Sequence, residues 1–316
     1  MKGARDGSRI AVHMPLELMG PVREAFPDVE IVQLPPEGEL PGEELPKVLL
    51  TLPWGTPNVA DAIARGVHWV HAYGTGVNGF PFEMLGDATL TCSRGASATA
   101  ISEWVMAVLL AAEKQLPQTW LSAAPERWNT ADLGTLSGRR LALVGFGGIA
   151  QAIAERALPF GMKVAALRRT AAESPIPAVE IRTDLAELLA DADHVVVAAP
   201  ETPATRHLMN DAAFAAMKPE AHLVNIARGG LVDQEALLRA LDGSGGPALA
   251  TLDVVDPEPL PEGHWLYGHE KVRLSAHISW SSPVSHAGLL DRFVENLGRY
   301  RRGEELAYQV DPSEGY

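Results

Sequence analysis

A single cysteine, Cys92, occurs in the 316-residue sequence. No intrachain disulfide can form, and a reducing cytoplasmic compartment is the natural expectation. Cys92 itself reads as a small buried or strand residue rather than a nucleophile. Positive charge is also scarce: 26 Lys and Arg face 40 Asp and Glu, for a formal net charge of −14. That balance argues against non-specific nucleic-acid binding and attachment to anionic lipid, both of which need a positive surface, although it leaves room for a local basic pocket. Long apolar runs are missing. Trp104–Ala112, bounded by Glu103 and Glu113, falls far short of the roughly 20 residues that span a bilayer. After Met1-Lys2-Gly3-Ala4-Arg5-Asp6, the residues Pro15, Glu17, Pro21 and Arg23 interrupt any apolar leader core, so no signal peptide is expected. What remains is an ordinary globular composition, 47% hydrophobic and 6% aromatic, at a length that suits two domains.

Short apolar runs of strand length recur through the first hundred residues: Arg9–His13, Val29–Leu34, Lys47–Leu52 and Val67–Ala72. Gly, Pro and Asp clusters separate them, and Asn58–Arg65 has helical character, as in a small parallel α/β sheet. Ser97–Leu116 is a long amphipathic helix that could cross from one domain to the next, ending at Pro117. Gln118–Gly138 reads as loop. A second series follows, with strands at Leu141–Val144, Val164–Leu167, His194–Ala198, His222–Ile226, Leu249–Val254 and Val272–Ser275. Helices fit Ile149–Leu158, Leu185–Leu189, Asp211–Met217 and Gln234–Leu241. This alternation predicts a doubly wound parallel sheet. A final helix, about Ser285–Arg301, could return the chain to the first domain.

The sharpest local signal is Gly145-Phe146-Gly147-Gly148-Ile149-Ala150, of the form G-x-G-x-x-A, with a strand before it and a helix after. Gly145 permits the tight turn, Gly147 lets backbone approach a pyrophosphate, and Ala150 lets the helix pack on the sheet. The N–H groups at the helix start, from Gly148 and Ile149, favour phosphate charge. The pattern therefore predicts a nicotinamide dinucleotide site. In an NAD site an acidic side chain normally ends the second strand, about 20 residues on. Here the strand ends in Arg168-Arg169-Thr170, which suits a 2′-phosphate, so NADP is preferred over NAD.

Three later strands end in polar groups. Arg228 follows one beside Gly229-Gly230, Glu258 follows the next, and His277 ends the third, so all three arrive at the ligand-binding edge of the sheet. Reduction of a 2-keto acid needs such a set. A cation binds the carboxylate, an acid protonates the carbonyl oxygen, and a carboxylate orients the imidazole and favours its protonated form.

Taken together, these segments resemble the D-2-hydroxyacid dehydrogenase family over nearly the whole chain. Asn225-Ile226-Ala227-Arg228-Gly229-Gly230 resembles its arginine motif, Asp253 through Pro259 its acidic motif, and His277 falls at its catalytic histidine. His194–Pro200 with Glu201-Thr202-Pro203-Ala204-Thr205-Arg206 resembles its cofactor-side loop, which places Pro200 and Thr205 beside the cofactor. The resemblance implies that Arg228 grips the substrate carboxylate and carbonyl while Glu258 pairs with His277, the proton donor. It further implies that Ala227 and Asp253 face the nicotinamide carboxamide. Ala72-Tyr73-Gly74-Thr75-Gly76-Val77-Asn78 resembles the substrate-domain loop, with the N–H groups of Gly74, Thr75 and Gly76 holding the carboxylate. Ala276 stands where the family commonly has proline, and Ser102-Glu103-Trp104 replaces a more usual Ala-Glu-His.

The expected architecture is therefore α/β, with two doubly wound parallel-sheet domains separated by a cleft. A Rossmann cofactor domain, residues 98–285, is inserted into a smaller flavodoxin-like substrate domain of residues 1–97 plus 286–316. The expected activity is hydride transfer between NADP(H), or NAD(H), and a small 2-keto/D-2-hydroxy acid such as glyoxylate or hydroxypyruvate. The resemblance implies a homodimer; neither a metal, nor nucleic acid, nor a membrane is called for. Two alternatives share the fold: an NAD(P)-sensing binding protein or corepressor, and a phosphoglycerate-type dehydrogenase.

Overall fold

A computed structural model describes residues 7–315 except Glu43 and Ala172. Met1–Asp6, on which part of the leader expectation rests, lie outside the described residues. Two compact units emerge, one running to Ser97 and resuming at Ser282, the other Ala98–Ser281. No helix among the described residues is long and apolar enough to cross a membrane.

The first unit holds β1 (Arg9–Val12), α1 (Gly20–Ala25), β2 (Glu30–Gln33), β3 (Val48–Thr51), α2 (Val59–Ala64), β4 (Trp69–Ala72) and β5 (Thr89–Cys92). Its five strands are parallel in the order β2-β1-β3-β4-β5, the flavodoxin-like order with its switch point between β1 and β3. Alternate residues bury on opposite faces, as a sheet covered on both sides requires. Ala11, Leu49, Val70 and Leu90 pack in one cluster, and Ile10, Val12, Val48, Leu50 and Trp69 in the other. The last helix of the chain supplies much of the second face through Leu290, Phe293, Leu297 and Tyr300, with Trp69 stacked on Phe293 at 5.4 Å between ring centroids.

The second unit opens with α3 (Ala98–Glu113). Then follow β6 (Arg140–Val144), α4 (Gly148–Ala157), β7 (Lys163–Leu167), β8 (Val179–Arg182), α5 (Leu185–Leu189) and β9 (His194–Val197). α6 (Asp211–Ala216), β10 (His222–Asn225), α7 (Gln234–Asp242), β11 (Leu249–Leu252) and β12 (Val272–Leu274) complete it, and α8 (Pro283–Arg301) belongs to the first unit. The seven parallel strands run β12-β11-β10-β9-β6-β7-β8, the Rossmann order with one added edge strand and a switch point between β6 and β9. α3 and α4 cover one face through Val105, Leu109, Ile153 and Ala154; α5, α6 and α7 cover the other through Leu188, Phe214 and Leu237.

Three elements are absent from the sequence reading. α1 starts at Gly20-Pro21, and Pro is tolerated in a first helical turn because its missing N–H has no partner there anyway. β8 is an edge strand whose Glu180 and Arg182 face outward and pair with each other at 2.9 Å, so its alternation is half polar. In β5 the threonines mask the apolar pattern, and buried Thr91 accepts the Trp69 indole N–H at 2.8 Å.

Candidate active site

Every strand of the second unit points its carboxyl end to one edge, and the crevice forms where the strand order reverses. Gly145, directly after β6, adopts φ +99°, a region that L side chains rarely occupy. A Cβ there would also lie 2.8 Å from Ala199 Cα, because the chain leaving β9 passes against the turn. Gly147 and Gly148 differ: a Cβ on either meets nothing within 4 Å. These two exposed glycines therefore leave open space above the start of α4. Gly147 stands at the N-cap, where no side chain caps the helix, so N–H groups of the first turn remain available to an anion. Ile149 is half-buried and Ala150 fully buried against the sheet. This cradle fits a pyrophosphate.

At the end of β7 the Arg168 backbone N–H bonds Arg182 O at 3.0 Å, and its guanidinium has no carboxylate partner among the described residues. Arg169 and Thr170 are exposed beside it. After β9, Thr205 Oγ1 donates to Pro200 O at 2.7 Å and accepts from Thr202 N at 2.8 Å, which folds Pro200–Arg206 into a compact loop. Arg206 extends from that loop to Asp256 at 3.2 Å.

Beyond β10, buried Asn225 braces the arginine loop. Its Nδ2 donates to Arg228 O at 2.9 Å and its Oδ1 accepts from Ala227 N at 3.1 Å. The first of the two glycines that follow is dictated by packing. A Cβ on Gly229 would fall 2.0 Å from Val255 C and O, and one on Gly230 would fall 2.0 Å from Glu201 Oε1. Glycine is required at 229, where the loop after β10 meets the backbone after β11, whereas at 230 the close atoms are the movable side-chain ends of Glu201 and Arg206. Arg228 is held with its Nη1 donating to Ala227 O at 2.6 Å. Burial lowers the pKa of its guanidinium, opposed by the carboxylates of Glu258 and then Glu201.

Glu258 and His277 meet across the loops after β11 and β12. The imidazole Nδ1–H donates to Glu258 Oε2 at 2.9 Å, while Glu258 Oε1 accepts from Val255 N at 3.0 Å. Their side chains are 37% and 39% exposed, so the pair is reachable from solvent. With Nδ1 committed as donor, Nε2 is the ring nitrogen free to meet a ligand. His277 itself has φ +54°, a strained conformation for a non-glycine residue of the kind that functional sites hold in place.

Asp253 holds it there. Its carboxylate, 1% exposed, accepts from Ile278 N and Ser279 N at 2.9 Å each and from the Ser275 hydroxyl, and its carbonyl accepts from His277 N at 2.8 Å. The sequence placed Asp253 directly after an apolar strand but did not show this positioning role. Gly74, Thr75 and Gly76 belong to the first unit, after β4. A Cβ on Gly74 would lie 2.6 Å from Pro53 Cβ, so that loop packs closely on the one after β3. No cluster of His, Cys, Asp and Glu among the described residues could hold a metal ion.

A Rossmann-ordered sheet, an open glycine turn at its switch point and an exposed imidazole–carboxylate pair beside a half-buried arginine are the parts that a dinucleotide-binding α/β protein needs for proton transfer. Residues 106–279, more than half of the chain, match the family described as D-isomer specific 2-hydroxyacid dehydrogenase, NAD binding domain. The chain belongs to the D-isomer specific 2-hydroxyacid dehydrogenase family. It is 36% identical over 220 residues to a glyoxylate reductase of Thermococcus onnurineus, covering 66% of this chain and 64% of that one. It is 37% identical over 167 residues to a hydroxypyruvate reductase of Thermotoga maritima, covering 52% and 54%. The matched region thus spans less than two thirds of these relatives. Among solved structures, a D-isomer specific 2-hydroxyacid dehydrogenase from Xanthobacter autotrophicus Py2, in complex with NADPH and MES, aligns over all of both chains with a TM-score of 0.84 and 28% identity.

Proposed function

We propose that the protein is an NAD(P)-dependent oxidoreductase that interconverts a small 2-keto acid and a D-2-hydroxy acid. The observation that carries this reading is the 2.9 Å His277–Glu258 pair on the same sheet edge as the Gly147-Gly148 cradle. Gly145, Gly147, Gly148 and Ile149 would hold the pyrophosphate, with Pro200, Thr205, Ala227 and Asp253 toward the nicotinamide. When bound, the dinucleotide supplies the hydride. Arg228 binds the substrate carboxylate and polarises the carbonyl, and the N–H groups of Gly74, Thr75 and Gly76 are assigned to the same carboxylate. Glu258 fixes the imidazole through Nδ1, and His277 delivers the Nε2 proton to the carbonyl oxygen as the carbonyl carbon is reduced.

Glyoxylate and hydroxypyruvate are the substrates we favour, supported by the names of the two reductases above. NADP is favoured over NAD because Arg168, with no carboxylate partner among the described residues, is available for a 2′-phosphate. A homodimer is supported by an irregular segment after α3 that exposes Trp120, Leu121 and Trp128 by 72%, 60% and 76%, more apolar surface than a loop needs. The single cysteine supports a cytoplasmic location.

The decisive experiment is a panel of 2-keto acids assayed with NADPH and NADH side by side. Turnover of glyoxylate or hydroxypyruvate, faster with NADPH, is expected. NADPH binding without oxidation by any 2-keto acid would favour a sensing protein instead.

A further inference from the structure

The carboxyl edge of the five-stranded sheet is divided in charge: the loop leaving β2 carries Glu37, Glu39 and Glu44, whereas the segments directly after the other four strands carry no acid. Those segments, after β1, β3, β4 and β5, are His13-Met14-Pro15, Leu52–Asn58, Tyr73–Pro81 and Ser93–Ser97. In a sequence with 40 acids and a net charge of −14 they contain no Asp or Glu, and their one Lys or Arg is Arg94. The other titratable groups there are neutral. His13 is buried, its Nδ1 within 3.0 Å of the Thr51 and Thr56 hydroxyls, and burial lowers its pKa to about 4. Burial raises the Tyr73 phenol and the Cys92 thiol.

These loops are packed into one surface. Ser93 N donates to Gly74 O at 2.8 Å, and Cys92 Sγ lies 3.8 Å from Thr75 O. Arg94 follows Ser93 directly, and its charge and hydrogen bonding act on the neighbouring Cys92 thiol. Its guanidinium is exposed and has no carboxylate partner among the described residues. A turn of backbone N–H groups offers an anion dipoles without net charge, whereas a guanidinium supplies both charge and paired donors.

We propose that Arg94 is a substrate-binding residue, the fixed positive charge that completes the Gly74-Thr75-Gly76 loop as a carboxylate site. The inference rests on the functional reading above and adds to it a charged carboxylate partner in the first unit. Electrostatic attraction of this kind acts on substrate capture rather than on hydride or proton transfer. Loss of the charge should therefore appear in KM.

The test compares wild type, Arg94→Gln and Arg94→Lys in the reduction of glyoxylate by NADPH, with oxalate as competitive inhibitor. Arg94→Gln is expected to raise KM for glyoxylate and Ki for oxalate about tenfold, a fold-change typical of one lost charge-assisted contact. kcat should stay within about twofold, and the melting temperature and NADPH affinity should not change. Arg94→Lys, which keeps charge without the fork, should recover part of the loss. Unchanged KM and Ki in Arg94→Gln would overturn the inference, as would an equal defect in the Lys and Gln variants. A wild-type protein that reduces no 2-keto acid would instead defeat the functional reading itself.

Discussion

Two histidine–carboxylate pairs sit at opposite edges of the same seven-stranded sheet. At the carboxyl edge His277 meets Glu258 at 2.9 Å with side chains 39% and 37% exposed; at the amino edge His194 meets Glu113 at 3.1 Å with side chains 3% and 9% exposed. The contacts are nearly identical, yet their settings differ. His194 is the first residue of β9, its ring edge-on to His222 at 5.6 Å. Arg139 joins the buried pair from 3.3 Å and bonds Asp193 in turn. Desolvation lowers the His194 pKa more than Glu113 raises it, so this imidazole is held neutral as part of the packing. His277 stands on a strained loop with its side chain 39% exposed. Pairing alone does not single out a histidine for catalysis; access and the sheet edge it occupies are what favour His277 for the proposed role.

The comparison can be sharpened by treating the matching residues alike. Short of removing His277 itself, the largest effect is expected at the cation beside the exposed pair. Arg228→Lys should lower kcat/KM for glyoxylate about 100-fold, because an ammonium cannot reproduce the bidentate fork; a loss below threefold would show that Arg228 does not bind the carboxylate. Next come the two carboxylates. Glu258→Gln should cut kcat about 10- to 100-fold with little change in melting temperature, whereas Glu113→Gln should destabilise by about 1–3 kcal/mol and leave kcat within twofold. A reversed pattern in denaturation and kinetic assays would break the distinction.

Acid should act on the buried imidazoles as well. His13, His71 and His194 all have pKa values lowered by burial, to about 4 for His13 and about 3 for His71, and His222 follows the same direction. Below about pH 6.5 the unfolded chain binds protons that the native state does not, so stability falls as pH falls toward those folded values. Each imidazole contributes up to about 1.4 kcal/mol per pH unit. Urea melts at pH 7.5 and 5 should show the loss, and a flat profile would contradict it. The smallest effect is at the cofactor edge: Arg168→Asp should shift the kcat/KM ratio toward NADH by about tenfold, and an unchanged ratio would separate Arg168 from the 2′-phosphate.

Much of the second unit was legible in the sequence because its signals are local. The strand–turn–helix around Gly145, the apolar strands β9 and β10 and the polar residues ending three strands each declare themselves within a few positions. What escaped depends on distant atoms. Gly229 stood in the sequence only as a neighbour of Arg228, whereas its absent side chain makes room for the Val255 backbone. Asp253 gave no hint that its carboxylate would tie down Ser275, Ile278 and Ser279, more than twenty residues on. β8 was hidden because an edge strand with one outward face need not be apolar.

The exposed imidazole, proposed as proton donor, and the buried one, part of the packing, should respond differently to removal. The measurement that tests this most directly is kcat, NADPH affinity and melting temperature for His277→Ala and His194→Ala in parallel. His277→Ala should lose about 10³-fold in kcat, with NADPH affinity and melting temperature close to wild type. His194→Ala should keep kcat and melt lower. Retained turnover in His277→Ala, or a loss of NADPH binding as large as its loss of kcat, would contradict the assignment.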